Sequence, residues 1–473
     1  MKLNFSKVSA SVLWTGWMAW MFSAASAQAA ELQLVNNAPF AKEVDAALPR
    51  ETVIVSFAGG ASLIPKEKQG ITSVLSDIFN EGPQGIQPDD FRKRLFLMNA
   101  GVWLSSDSRA MHLSVTAPQE TLPGALALAA QTLEKLKLNN AEFGRSKAKV
   151  FAGRKALEDN MEHITGYFAI RNFFNYQPDT FTGEGSVKNI GGLSLGDVQK
   201  FAPQLLNKTH AFYTSAGPVP LDNVKYEIEK NFLQKPANFA YVEVKFEKAK
   251  ILDVNTGAIP GTQARPVTVI NKKGATDNQV MMVLPLELKL DGPEALDAVV
   301  VHEILGGGLS SRLGKTLRVE RGLTYHVSSF VGSRLPVWCV YTFGGLFQTG
   351  DLLKGIDEVV EKFKVEKVPE SDIREAIEGA VTIHLASTEL PSDRLFEKIR
   401  YRLYGLDVNF FENYLVNVAA VNAERVAAFQ KTKLITNGGH LYIMGDKTKL
   451  LPILKKLGND EKNIRVVEVS DID

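Results

Sequence analysis

Apolar residues recur with two different periods along this chain, and the two periods alternate in a definite order. ETVIVSFAGGASL (51–63) is dense in Val, Ile and Phe and predicts a strand. The run from Gly70 to Glu81 has helical spacing, as does PDDFRKRLFLMNAG (88–101), and the segments GVWLSSDS and AMHLSVTAP that follow predict two strands. Leu, Ala and Phe then return at helical spacing over 121–137 and 140–175, ahead of SLGDVQKFAPQLL and a strand-like HAFYTSAG.

The same order is then written a second time. NQVMMVLPLELKL (278–290) predicts the opening strand and PEALDAVVVHEIL (293–305) the first helix. SSRLGKTLRVERG leads into the strands LTYHVSSFV and WCVYTFGG, and QTGDLLKGIDEVVEKFK with the region from Glu370 to about Tyr404 supplies the long helices. VNAERVAAFQKTKL and HLYIMGD close the repeat. Between the halves KILDVNTGAIPGTQARP (250–266) has Gly and Pro and no apolar period, as a linker does. The expected architecture is α+β: two homologous domains from an internal duplication, each an antiparallel-rich sheet packed with helices. The boundaries expected are 47–245 and 267–473, joined by a linker at 246–266.

Composition adds limits. A chain of 473 residues exceeds one ordinary core, and 45% hydrophobic with 23% charged residues is usual for a globular protein. A formal charge of +1 without blocks of like charge gives no sign of a nucleic-acid partner. At the N-terminus Lys2 and Lys7 precede the uncharged run VSASVLWTGWMAWMFSAASAQAA, which ends in small residues, with Ala27-Gln28-Ala29 fitting a cleavage site. Residues 1–30 are therefore expected to be a signal peptide, with an uncleaved anchor as the alternative because the run is long enough to span a bilayer. The single Cys339 permits no internal disulfide and, lying in a predicted strand, is expected in the core. With no cysteine beside the apolar run, a lipid anchor is not expected, and a periplasmic location without a stable membrane anchor fits best.

The segment GGGLSSRLGKTLRVERGLTYHVSS (306–329) carries the candidate chemistry. It looks like a phosphate loop, but G-x-x-x-x-G-K-[ST] ending at Gly314, Lys315 and Thr316 needs Gly at the position of Leu309. Ser310 or Ser311 can cap a helix carrying Leu313 and Leu317 inward, and Gly322 can stop it. Tyr325 is then expected two residues into a strand, on one face with Leu323 and Val327. Taken alone, this is an ordinary helix–turn–strand corner.

The segment strongly resembles the C-terminal half of the M16 (insulinase/pitrilysin) zinc peptidases, especially the processing-peptidase-like branch. Leu317-Arg318 and Tyr325 have that family's spacing, and the duplicated layout extends the resemblance from about residue 47 to the end. The resemblance implies that Arg318 and Tyr325 face an active site whose zinc lies in the other half or in another subunit. It also implies that Gly306, Gly307, Gly308 and Ser310 receive the backbone of a peptide.

The family's zinc motif, H-x-x-E-H, falls on GITSVLSDIFNEG (70–82), where Ser73 and Asp77 stand at the histidines and Ser76 at the glutamate base. The third ligand falls at Ala152 or Gly153. Two imidazoles a helical turn apart and a carboxylate are what an open zinc site needs, and none of these groups is present. The seven histidines, His112, His163, His210, His302, His326, His384 and His440, include no helical pair. His302-Glu303 lacks a second histidine and is expected to be structural, and Glu158, Asp159 and Glu162 beside His163 are expected to form a solvated acidic face. The expectation is a chain that binds no cofactor itself. It would act as the non-catalytic subunit of a heterodimer, supplying Arg318 and Tyr325 to the Zn²⁺ site of an H-x-x-E-H subunit, with a peptide or unfolded polypeptide as substrate. The alternative is an inactive scaffold or peptide-binding protein. A self-sufficient hydrolase of another class is a third reading, and the single cysteine, on a predicted strand with no identifiable base, gives it no nucleophile.

Overall fold

The computed structural model describes residues 33–35, 38–233, 242, 265–434, 439–460 and 464–472. The expected signal segment 1–30 and nearly all of the linker lie outside them. Among the described residues no helix is long and apolar enough to cross a membrane.

Each half builds a six-stranded sheet. The first contains β1 (Gln33–Val35), β2 (Ala38–Val44), β3 (Glu51–Ala58), β4 (Gly101–Ser106), β5 (Ala110–Ala117) and β6 (Ala211–Gly217). Their spatial order is β1-β2-β6-β3-β5-β4. The second contains β7 (Val267–Asn271), β8 (Asp277–Pro285), β9 (His326–Val331), β10 (Val337–Gly345), β11 (His440–Gly445) and β12 (Ile464–Glu468). Here the order is β12-β7-β11-β8-β10-β9. From β2 and β7 onward the two orders coincide strand for strand. The pairing sense coincides too: β2–β6 and β7–β11 are parallel, and the inner pairs are antiparallel. Only the outermost strand differs. The first half uses β1, antiparallel to β2, and the second uses the C-terminal β12, parallel to β7.

The strands β2 and β7 were not expected from the sequence. β2 lies ahead of residue 47, so the first sheet begins upstream of that boundary. The helical run expected over 140–175 is two helices, Asn140–Leu157 and Met161–Phe173, because the Asn160 side chain accepts the His163 N–H and starts a new helix. The region from Glu370 is also split, into Glu370–Ser387 and Pro391–Leu403, where Pro391 opens the second helix.

One face of each sheet packs on helices of its own half. Ile71, Val74, Leu75 and Ile78 of helix Ile71–Asn80 join Val53, Val55 and Leu113 in the first core. Leu296, Val300 and Ile304 of helix Pro293–Gly306 join Val280, Met282 and Val340 in the second. The opposite faces are covered by exchange. Ile164, Phe168 and Phe173 of helix Met161–Phe173 pack with Met281, Val283, Cys339 and Tyr442 of the second sheet. Ile399 and Leu403 of helix Pro391–Leu403 pack with Ala58, Ala110 and Phe212 of the first. Polar bonds follow the same exchange: Tyr442 donates to Asn172 Oδ1 at 3.0 Å, and Arg394 Nε bonds Glu43 Oε1 at 3.1 Å.

Candidate functional site

The first half was expected to show a degenerate zinc helix. Ser73, Ser76 and Asp77 do share helix Ile71–Asn80, which lies under the edge strand β4. Each group is committed within the chain or sealed off. The Ser73 hydroxyl donates to the Gly183 carbonyl at 2.9 Å, joined by Thr72 at 3.3 Å. Ser76 Oγ is buried with no hydrogen-bond partner. Asp77 Oδ1 lies 2.6 Å from Lys149 Nζ, and Glu81 lies 3.6 Å from the same ammonium. The hydrogen bond to Asp77 raises the Lys149 pKa.

Lys149 was missed in the sequence. The third-ligand position was expected one turn later, at Ala152 or Gly153, but a Cβ on Gly153 would touch nothing within 4 Å. An ammonium therefore stands where the resemblance implies a metal cation, beside two hydroxyls that are poor ligands for zinc. These residues do not fit the metal. Gly185 closes the face further: a Cβ there would lie 2.2 Å from the Gln69 carbonyl oxygen, so only glycine lets segment 183–185 lie this close. At the sheet edge Asn80 Oδ1 accepts the Leu104 N–H at 2.9 Å, as a neighbouring strand would.

The second half presents the opposite picture. After helix Pro293–Gly306, Gly307, Gly308, Leu309 and Ser310 form an exposed loop. Gly306 is buried, and a Cβ there would fall 2.7 Å from the Ser329 backbone nitrogen. Its lack of a side chain serves the chain's own packing on β9, a correction to the substrate-contact role expected for it. Ser311, not Ser310, makes the cap: its hydroxyl donates to the Gly308 carbonyl at 2.6 Å and accepts the Gly314 N–H at 3.1 Å. Leu313 and Leu317 point inward as expected, both fully buried.

The segment Gly314–Glu320 is π-helical, a rare wide turn that is frequent at functional sites. Gly322, at φ +61°, ends it, and the Leu323 N–H returns to the Leu317 carbonyl at 2.9 Å. Arg318 and Tyr325 flank this short return. Arg318 is exposed, Tyr325 is 81% exposed, and neither has a hydrogen-bond or ion-pair partner among the described residues. Tyr325 precedes β9 instead of lying within it, and its ring does not share the buried face of Val327. The neighbouring Arg312 and Arg321 are tied down, to Glu366 and Asp372 and to Glu358 respectively.

The remaining candidates have structural partners. His302 Nδ1 meets Ser329 Oγ at 2.8 Å, and burial lowers its pKa to about 4, so the ring is neutral at pH 7. Glu158 pairs with Lys155, Asp159 with Lys272 and His163 with Glu184. Cys339 is fully buried, and desolvation pushes its thiol pKa well up. Among the described residues no three His, Cys, Asp or Glu side chains gather as a metal site would require. One constellation escaped the sequence: Ser56 Oγ lies 2.9 Å from His112 Nδ1, and His112 Nε2 lies 3.3 Å from Asp107. Cross-strand register on β3 and β5 makes the first contact. Ser56 is 1% exposed beneath helix Pro391–Leu403, so no substrate reaches it and the contact belongs to the core.

The profile of the Peptidase M16 inactive domain matches residues 192–380. The non-peptidase homolog YmxG of Helicobacter pylori is 21% identical over 440 residues, covering 91% of this chain and 97% of that protein. An uncharacterized zinc protease of Streptomyces coelicolor is 23% identical over 256 residues, 53% of each chain. The crystal structure of a peptidase M16 inactive domain from Pseudomonas fluorescens superimposes with a TM-score of 0.75 at 16% identity, covering 89% of this chain and 98% of that one. The chain is thus similar to the Peptidase M16 inactive domain over residues 192–380 and shares the fold of the P. fluorescens inactive-domain structure.

Proposed function

We propose that this protein is the non-catalytic subunit of a periplasmic heterodimeric peptidase and lends Arg318 and Tyr325 to the site of an H-x-x-E-H subunit. One observation carries the reading: the only two side chains that the family motif singles out in this half are both exposed and unpartnered, on one short return beside the glycine loop. An arginine and a tyrosine kept for the monomer's stability would have partners, as Arg312 and Arg321 do. Exposed Leu309 and Val319 on the same corner supply apolar area for an interface.

In this reading the partner's zinc supplies the activated water. The phenol of Tyr325 donates a hydrogen bond to the oxygen of the scissile carbonyl as negative charge develops there. The Arg318 guanidinium, always protonated, donates to neighbouring substrate carbonyls and adds positive potential. Gly307, Gly308 and Ser310 leave room for the extended peptide backbone.

The alternative, an inactive scaffold or peptide-holding subunit, draws on the name of the H. pylori relative, a non-peptidase homolog. Mixing decides between them. Peptidase activity on a quenched peptide library is measured for this chain, for an H-x-x-E-H homologue from the same source, and for the two together. Turnover only in the mixture supports the proposal. Absence of both turnover and a complex on sizing rejects it and favours the scaffold.

A further inference from the structure

A cavity of ≈ 510 Å³ lies where helix Met161–Phe173 crosses strands β8, β10 and β9 of the second sheet, between the two halves of the chain. That volume and that position are usual for a small-ligand site. One wall is apolar, formed by Met281, Phe330 and Tyr341. The other is polar and incompletely satisfied.

Arg171, in that polar wall, is 2% exposed, and Arg154 behind it is 5% exposed. Both guanidinium carbons lie over the Tyr167 ring, at 3.3 and 4.7 Å from its centroid. Neither arginine has a carboxylate within 4.0 Å among the described residues. Arg171 makes only long bonds to neutral oxygens, at 3.5 Å to Tyr167, 3.3 Å to Thr182 and 3.4 Å to the Glu184 carbonyl. Arg154 Nε donates to the Gly185 carbonyl at 3.1 Å, and its Nη1 has no hydrogen-bond partner among the described residues. Charged groups this deeply buried are ordinarily paired.

The nearest acid, Glu184, is held by His163 Nε2 at 2.9 Å, and Glu162 at the rim is exposed to water. Thr165 also lines the cavity, 1% exposed, and its hydroxyl has no partner, not even the carbonyl four residues back that a helical threonine commonly uses. What the wall offers an anion is therefore the Arg171 guanidinium itself, buried and with no carboxylate within 4.0 Å among the described residues.

We infer that this cavity binds the carboxylate of an organic acid with an apolar body. The guanidinium fork of Arg171 takes the carboxylate, Thr165 adds a hydroxyl donor, and the body lies against Met281, Phe330 and Tyr341. Two sources share this chemistry: the C-terminal residue of a peptide and a free small organic acid. The inference stands apart from the subunit reading, since the cavity uses neither Arg318 nor Tyr325.

Calorimetric titration of the whole chain tests it with N-acetyl-phenylalanine, acetyl-Ala-Ala-Phe, and the C-terminal amide of each. The acids are expected to bind saturably and their amides at least about tenfold more weakly. Arg171→Lys, which keeps the charge and loses the fork, is expected to weaken the acids about tenfold. Thr165→Val weakens them severalfold while leaving the melting temperature unchanged or raised, because it removes an unsatisfied hydroxyl. Tighter binding of the tripeptide acid assigns the site to peptide C-termini; equal binding assigns it to free acids. Equal affinity for acids and amides overturns the inference, as does no saturable binding up to about 10 mM. If Arg171→Lys fails to fold, the acid–amide pair and Thr165→Val decide alone.

Discussion

Replacing Phe168 with alanine tests whether helix Met161–Phe173, first-half by chain, belongs energetically to the second half. The ring is 1% exposed and meets Tyr442 edge-on, with centroids 6.0 Å apart at 81°. Phe→Ala in a packed core costs about 3–5 kcal/mol, of which the aromatic pair accounts for about 0.5–1.5 kcal/mol. With a urea slope of about 3 kcal/mol/M, the midpoint should fall by about 1–1.7 M. The chain supplies its own reporters. Beyond residue 30 its only tryptophans are Trp103, in the first half, and Trp338, buried in the second core. In a chain beginning at residue 31 with Trp103→Phe, fluorescence follows Trp338 alone. Phe168→Ala should lower the midpoint seen by Trp338 by the full amount. If the Trp338 transition stays in place while a Trp338→Phe variant shows the Trp103 transition falling, the exchanged packing does not couple the halves and the reasoning fails.

Tyr325→Phe should leave folding within about 0.5 kcal/mol, since the hydroxyl is exposed and unpartnered, yet lower kcat of the reconstituted complex by about 10²–10³; wild-type turnover would remove Tyr325 from the site. His302, its pKa held near 4 by burial, stabilises the fold fully above its unfolded value of about 6.5. That stability drains as pH falls through this window, about 2 kcal/mol of it by pH 5, and denaturation midpoints for wild type and His302→Gln should therefore converge on acidification. Asn80→Ala strips the acceptor from the Leu104 N–H at the edge of the first sheet, costing about 1 kcal/mol and speeding exchange of that amide; unchanged protection there would contradict the bond. Lys149→Met leaves the largely buried Asp77 carboxylate unpaired and should cost about 1–2 kcal/mol by urea titration, most of it recovered in Lys149→Met/Asp77→Leu.

The repeated element order was legible because both sheets rest on long apolar strands such as VIVSF and VMMVL, whose period survives without tertiary information. β2 and β7 were not legible. APFAKEV and VTVIN are short and sit beside segments without period, and they become strands by pairing with β6 and β11 far along the chain. The helix exchange was equally hidden, since the apolar faces of 161–173 and 391–403 say that something is buried but not against which half. At the site, the Arg318–Tyr325 spacing and the missing zinc ligands were visible as residue types. Lys149 was not: on a solvated helix with little amphipathic contrast it reads as one more surface lysine, and only the fold sets it against Asp77.

That ion pair makes the helix costly to convert into a zinc site. An open cavity can take metal ligands one substitution at a time, but here the positions are already committed. A histidine at Ser73 breaks the bond to Gly183, one at Asp77 strands Lys149, and segment 183–185 still lies across the helix. Each step is a loss by itself, with no zinc gained until the set is complete and the overlying segment has moved. Installing a metal on this half takes a coordinated redesign of helix and segment together.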